Sequence, residues 1–242
     1  MPAWFVDLGR WVGGLLIFSM CAALSSVALI PCWYLFLAVQ EQLSTFWAVL
    51  CVPFLYGVWG FGYCALCVVY KRLIFYRPRE GEWPLFSWPV VGWGTTGALT
   101  NWANILFLQH WKGTPFLNLY LRAMGTKIGR RVSINTIYIY EWDLVTIGDD
   151  AILGGDCVVQ GHIVEGGRMK MRPVHIGARA LVGTGAKVMP GCAVGELAVL
   201  AAGSIMKKGS AIPSSEIWGG TPPRLLRRRG EQDAEDDGVK PA

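Results

Sequence analysis

The sequence predicts two differently built halves: an N-terminal α-helical transmembrane hairpin with an interfacial helix, then an all-β parallel β-helix. Three observations carry this. Of 242 residues, 53% are hydrophobic and 16% charged, where an ordinary soluble domain carries about 25% charge. Between Trp11 and Tyr70 the one charged residue is Glu41, and ten of the twelve tryptophans lie at or before Trp111. From Ile176 onward an unbroken six-residue period sets in. So apolar a composition excludes a disordered or solvating chain.

Residues 1–80 form the hairpin. The runs 11–40 and 42–70 carry no formal charge, and each exceeds the ~20 residues that cross a hydrocarbon core. Backbone polar groups in lipid must bond within their own segment, so both runs are predicted helices, about 11–38 and 46–70. Pro31 and Pro53 kink them or mark the interface. The first run is too long for a signal-peptide core. Arg10 precedes it, and Lys71, Arg72, Arg77 and Arg79 follow the second, while Gln40–Ser44 holds no Lys or Arg. The positive-inside rule then puts both ends in the cytoplasm, making a multi-pass inner-membrane protein with a cytoplasmic β-helix. Five of seven cysteines fall in this half, Cys64 and Cys67 with metal-like spacing. They have no further ligands nearby and read as small apolar side chains.

Residues 81–116 interleave Trp83, Trp88, Trp93, Trp102 and Trp111 with Pro, Gly and aliphatics. Tryptophan favours the headgroup layer, so Thr95–His110 reads as a helix lying on the bilayer. A short or re-entrant third span is the other reading. At the far end, residues 224–242 turn from basic to acidic with few aliphatics and are expected to be disordered. The net charge of +5 is clustered beside apolar segments, which suits anionic lipid rather than nucleic acid.

Residues 117–223 hold the repeat. Apolar anchors recur at Ile176, Val182, Val188, Val194, Leu200, Met206 and Ile212; four positions after successive anchors stand Ala180, Ala186, Cys192, Ala198, Ser204 and Ser210. No helix or alternating strand has this period, whereas a β-helix does, each unit supplying one flat face and one corner. Glycine after the anchor, at Gly177, Gly183 and Gly195, is expected to tolerate the corner's backbone angles. The pattern extends upstream through Ile128, Ile134, Ile147, Leu153 and Val159, giving four to five coils of three faces. Two intervals break it: thirteen residues from Ile134 to Ile147, and seventeen from Val159 to Ile176. The second requires a loop within Gly161–Pro173, and solenoids place function in such insertions.

The repeat, His162 opening an extruded loop, Ala201-Ala202-Gly203-Ser204-Ile205 and Trp218-Gly219-Gly220-Thr221-Pro222 together resemble the left-handed β-helix (hexapeptide-repeat) acyltransferases over roughly Leu117–Arg224. The stretches LYLRAMGTKIGRRVSINT, EWDLVTIGDDAIL and VVQGHIVEGGRMKM, with the hairpin before them, are similar to the membrane-bound terminal region of ε-poly-lysine-synthetase-like peptide synthetases. The resemblance implies a left-handed coil, a homotrimer, and transfer from acetyl-CoA or another acyl thioester without a permanent cofactor or metal.

Such transfer needs a base and oxyanion donors. An imidazole ordinarily titrates near ~6.5, and His162 matches the family's catalytic histidine; His110 and His175 read as interface and outward-facing groups. Glu165 either holds the imidazole or is a solvated acid. Glu141 and Asp143, near one coil's height below His162, either recognise a cationic acceptor or serve a turn. Arg168, Lys170 and Arg172 face donor phosphates, headgroups or solvent. By resemblance, Gly183 supplies the oxyanion donor, Ala201, Ala202, Gly203 and Ser204 line the donor arm, and Lys207, Lys208 and Arg224 meet its phosphates. Pro223 departs from the family's usual Gly-x-Pro-Ala, which bears on coenzyme A as donor. No nucleophilic elbow is present, so direct attack is expected. The acceptor is read as a small molecule or lipid-linked and membrane-presented. A carrier-protein thioester making an amide bond is the second reading; a non-catalytic scaffold on membrane lipid is the third.

Overall fold

The computed structural model describes residues 3–74 and 79–228 and divides into two units, Met1–Tyr76 with Val91–Phe107, and Arg77–Val90 with Leu108–Ala242.

In the first unit, α1 (Ala3–Gln42) runs through Pro31 without ending. A short α2 (Thr45–Leu50) leads into α3 (Val52–Val69), with Pro53 in its first turn, where a missing N–H breaks no helical bond. A π-helical turn, Tyr70–Ile74, follows. Two segments, Trp11–Gln42 and Val52–Leu73, are long and apolar enough to cross a membrane, with mean hydropathy 2.2 and 1.7. Trp59 Nε1 donates to Ser25 O at 3.3 Å and Cys32 Sγ approaches Leu55 O at 3.4 Å, pinning α1 to α3.

The expected helix Thr95–His110 is displaced: α4 spans Trp88–Leu106. Its face of Gly92, Thr96, Leu99, Thr100 and Ala103 is buried, with α4 antiparallel to α3. Tyr56 donates its hydroxyl to Leu106 O, Tyr63 to Leu99 O at 3.3 Å and Tyr70 to Thr95 Oγ1 at 3.2 Å. Thr96 and Thr100 satisfy their hydroxyls on helix carbonyls at 2.8 and 2.9 Å, so neither hydroxyl disrupts the packing.

The second unit opens with β1 (Gly81–Pro84). The sequence boundary at 117 falls inside a helix, α5 (Pro115–Met124), which buries Leu117, Tyr120, Leu121 and Met124 and closes on Gly125 at φ 118°. The coil strands follow: β2 (Lys127–Ile128), β3 (Ser133–Ile134), β4 (Val145–Ile147), β5 (Ile152–Leu153) and β6 (Val158–Val159). An antiparallel hairpin, β7 (His162–Glu165) and β8 (Arg168–Met171), then leaves the coil, turning at Gly166 and Gly167 with φ 57° and 71°. The coil resumes with β9 (Val174–Ile176), β10 (Leu181–Val182), β11 (Lys187–Val188), β12 (Ala193–Val194), β13 (Val199–Leu200), β14 (Ala211–Ile212), β15 (Glu216–Gly220) and β16 (Pro223–Arg228).

Consecutive strands visit three parallel ladders in rotation: β2-β4-β9-β12-β14, then β3-β5-β10-β13-β15, then β6-β11. Eighteen residues therefore separate one level from the next in the regular region, where Val194 lies opposite Ile176 and Ile212 opposite Val194. The anchors Ile134, Ile147, Leu153, Val159 and Ile176 through Ile212 are buried, as are Ala180, Ala186, Cys192, Ala198 and Ser204. Each buried aliphatic contributes roughly 1.5–3 kcal/mol.

Two expectations need correction. Residues 224–228 are not disordered: β16 pairs antiparallel with β15, and Arg228 Nε meets Glu216 Oε1 at 3.2 Å. Residues 229–242 of the expected tail lie outside the described residues. The glycines after the anchors serve a different purpose from the one expected. A Cβ on Gly177 would lie 2.6 Å from Glu196 N, and one on Gly183 2.7 Å from Ala202 Cα. The next coil's backbone occupies the space. Positive φ falls instead on residues such as Arg179, Leu197 and Ser215. Gly177→Val should therefore force neighbouring coils apart and cost about 1–3 kcal/mol, read as a lowered melting temperature of the detergent-purified chain; an unchanged melting temperature contradicts the stacking account.

Candidate functional site

The hairpin is rooted in the coil and sewn to β1. In the order β1-β8-β7, Gly81 faces Met171 and Met171 faces His162, while Trp83 faces Met169 and Met169 faces Val164. Strand side chains alternate, so one face of this sheet carries His162, Val164, Met169, Met171 and Trp83. The other carries Ile163, Glu165, Arg168, Lys170 and Glu82. Met169 and Met171 are each 1% exposed, which fixes the hairpin at its inner face.

His162 is placed by what lies beneath it. Ile139 bridges Val159 in parallel register, so Glu141 comes under Gly161. Glu141 sits in the left-handed region at φ 52°, the one irregular residue that the thirteen-residue interval absorbs. Its carboxylate is fully buried: Oε2 accepts the Gly161 N–H at 2.6 Å, and Oε1 lies 2.8 Å from His162 Nδ1. A Cβ on residue 161 would lie 3.2 Å from Glu141 Cβ and 3.0 Å from Arg172 O, which is why glycine precedes the histidine. The Tyr140 ring stands edge-on to the imidazole, centroids 6.4 Å apart.

Glu165 does not take that place. Three residues along an extended strand it points to the opposite face, where it pairs with Lys208 and, at 3.7 Å, with Lys170. The Lys208 ammonium holds its carboxyl below the usual carboxylate range. Glu141, expected as an acceptor-recognition residue or turn former, is the carboxylate that meets the histidine. Asp143 lies half-buried in the 3-10 turn Trp142–Leu144. On the charged face, Glu82, Ile163, Glu165, Lys170, Pro190 and Lys208 line a cavity of about 250 Å³.

The oxyanion assignment for Gly183 also fails: its N–H donates to Leu200 O at 2.8 Å within the coil. Ala201 N–H is likewise committed to Trp218 O at 2.8 Å and Gly203 N–H to Thr184 O at 2.9 Å. Ser204 is buried, with its hydroxyl accepting from Gly220 N–H at 3.0 Å. Ala202 and Lys207 are exposed, and Arg224 is exposed on β16 opposite Gly219. The structure brings Glu141, Gly161 and His162 together; it brings Glu165 and Lys208 together elsewhere.

No protein-family model matches the chain. Two-residue strands repeating every six residues, with a histidine at the root of an extruded hairpin, define a hexapeptide-repeat protein. Its sequence is similar to those of hexapeptide-repeat acyltransferases. It is 34% identical over 172 residues to delta-poly-L-ornithine synthetase of Acinetobacter baumannii, covering 69% of this chain and 12% of that protein. It is 34% identical over 87 residues to gamma carbonic anhydrase 2 of Arabidopsis thaliana, covering 36% and 27%. Galactoside O-acetyltransferase of Escherichia coli is 32% identical over 114 residues, covering 44% and 55%. The chain thus spans less than two thirds of each of these relatives. Among the described residues no group of three or more His, Cys, Asp or Glu is placed to hold a metal ion.

Glu141→Ala should leave the Gly161 N–H buried without its acceptor, which costs about 1–3 kcal/mol. The expected result is a lowered melting temperature, with Glu141→Gln losing less because its amide oxygen can still accept; equal melting temperatures for all three forms contradict the role given to this carboxylate.

Proposed function

We propose that the chain transfers an acyl group, acetyl first, from a thioester donor to an amine or hydroxyl in a ternary complex. The observation that carries this reading is the buried Glu141 carboxylate 2.8 Å from His162 Nδ1. With Nδ1 so engaged, Nε2 takes the proton as the acceptor's nitrogen or oxygen attacks the thioester carbonyl. The tetrahedral intermediate collapses with cleavage of the C–S bond, and the imidazolium returns its proton to the departing sulfur. Glu141 stabilises the transient positive charge. Coenzyme A is the proposed donor, with Lys207 and Arg224 offered to its phosphates and Ala202 to its arm. Glu165 and Lys208 pair with each other on the charged face and are given no part in this step. The coil is taken as left-handed and trimeric, after the family, and the apolar helices favour a membrane-associated acceptor.

One observation favours a second reading. The relative that covers 69% of the chain is named a poly-L-ornithine synthetase, which points to amide-bond formation from an aminoacyl thioester on a carrier protein. The same base and the same attack serve both; the donor differs.

Calorimetry of the detergent-purified chain with acetyl-CoA should show binding by wild type and by His162→Ala, with turnover lower by about 10²–10⁴ in the variant. Full turnover by His162→Ala overturns the base and favours the scaffold; no acetyl-CoA binding by folded protein moves the donor to a carrier-protein thioester.

A further inference from the structure

We propose that the face of α5 turned away from the coil, with the rim of the first rung around it, docks on an anionic phospholipid surface. The inference lies within the second unit and is independent of the acyl-transfer reading. It starts from how the coil begins. Strands β2 and β3 are the outermost members of their ladders, so the carbonyls on their free side have no further strand to meet. Helix α5 meets them instead. Asn118 Nδ2 donates to Val132 O at 2.7 Å, Arg122 Nε to Ile128 O at 3.2 Å and Arg122 Nη2 to Gly129 O at 2.6 Å. Just before the helix, the Gly113 N–H donates to Ile134 O at 2.7 Å. This end of the coil is thereby closed, and α5 buries Leu117, Tyr120, Leu121 and Met124 in closing it.

The outward side of the helix is apolar at its centre and basic at its edge. With about 3.6 residues per turn, Leu119 lies opposite the buried stripe, between Pro115 and Arg122, and it is 62% exposed. Charge is sorted between the first two rungs. Residues 112–140 hold Lys112, Arg122, Lys127, Arg130 and Arg131 and no Asp or Glu; residues 141–159 hold Glu141, Asp143, Asp149, Asp150 and Asp156 and no Lys or Arg. The second rung does not cancel the first. Asp156 pairs with Lys112 and Asp150 with Arg131, Glu141 meets His162, and Asp149 accepts the Arg130 backbone N–H at 2.7 Å. Among the described residues, no ion pair involves Arg122, Lys127 or Arg130, and all three are exposed. Arg122 reaches the carbonyls of Ile128 and Gly129, the two residues that Lys127 and Arg130 flank, so the three cations share the edge of this face.

An exposed leucine beside three cations without carboxylate partners fits a layer of anionic headgroups, with the cations at the phosphates and the leucine at the acyl boundary. Nucleic acid would match the cations and leave Leu119 and Pro115 without a partner. Connectivity favours lipid as well. The apolar unit ends at Phe107, eight residues before α5 begins, so a bilayer that takes up its helices is presented to α5 on a short tether rather than by diffusion.

The experiment uses the full chain carrying Leu119→Cys, with Cys51→Ser because Cys51 is half-buried where the other cysteines are buried. It is labelled with an environment-sensitive fluorophore and reconstituted in vesicles of phosphatidylcholine alone or mixed with phosphatidylglycerol. The expected result is a blue-shifted emission with phosphatidylglycerol only. The shift is lost in about 1 M salt, where the Debye length is ~3 Å, and on Lys127→Glu with Arg130→Glu; the salt arm needs no substitution and so is free of any folding defect. Equal emission in both vesicles, or a shift that survives salt or charge reversal, overturns the proposal. So does an equal shift when double-stranded DNA is added to phosphatidylcholine vesicles, which makes the partner nucleic acid.

Discussion

Adjacent coils of this protein stack at the spacing of neighbouring β-strands, about 4.8 Å, and nearly every other feature follows from how little room that leaves. Gly177 and Gly183 have no side chain because the amide or Cα of the coil above stands where a Cβ would go. The interior accepts one aliphatic per face and one small residue per corner. Main-chain donors such as those of Gly183, Ala201 and Gly203 are consumed by neighbouring coils. A coil so closely satisfied has few polar groups to spend on chemistry, and the site is accordingly built where the repeat is broken.

The two breaks act together. The thirteen-residue interval puts Glu141 one position out of line, in the left-handed region and fully buried. The seventeen-residue interval extrudes the hairpin, whose first residue is His162. Because Ile139 registers with Val159, the two irregularities stack, and the carboxylate of one meets the imidazole of the other. Neither break would make a site alone. Strand alternation then sorts the hairpin into a histidine face and a charged face, and Glu165 joins Lys208 on the charged one.

The period of six made the ladders, the buried anchors and the position of the hairpin legible in the sequence, because each repeat is a local unit with one inward side chain. The partner of His162 was not legible in the same way. Sequence proximity favoured Glu165, three residues away, but an extended strand turns that residue to the far side. Glu141, twenty-one residues away, is brought near by coil stacking; the signal was Ile139, an anchor hidden in the irregular interval. The strand at residues 224–228 was obscured by its charged composition, since β16 is an exposed strand paired mainly through its backbone. The start of α4 at Trp88 was hidden because Pro, Gly and Trp in a helix of this kind are governed by packing on α3 rather than by propensity.

The measurement that tests the account most directly is the turnover number of two conservative variants side by side, Glu141→Gln and Glu165→Gln, in full-length protein. Both remove one negative charge near the hairpin and keep the side-chain shape. The account predicts a fall of about 10²–10⁴-fold for Glu141→Gln, as for other carboxylates that orient a catalytic histidine, with donor binding retained, and a change of no more than a few-fold for Glu165→Gln. A large loss at Glu165 with wild-type turnover at Glu141 would contradict it, and would return the orienting role to the residue nearer in sequence.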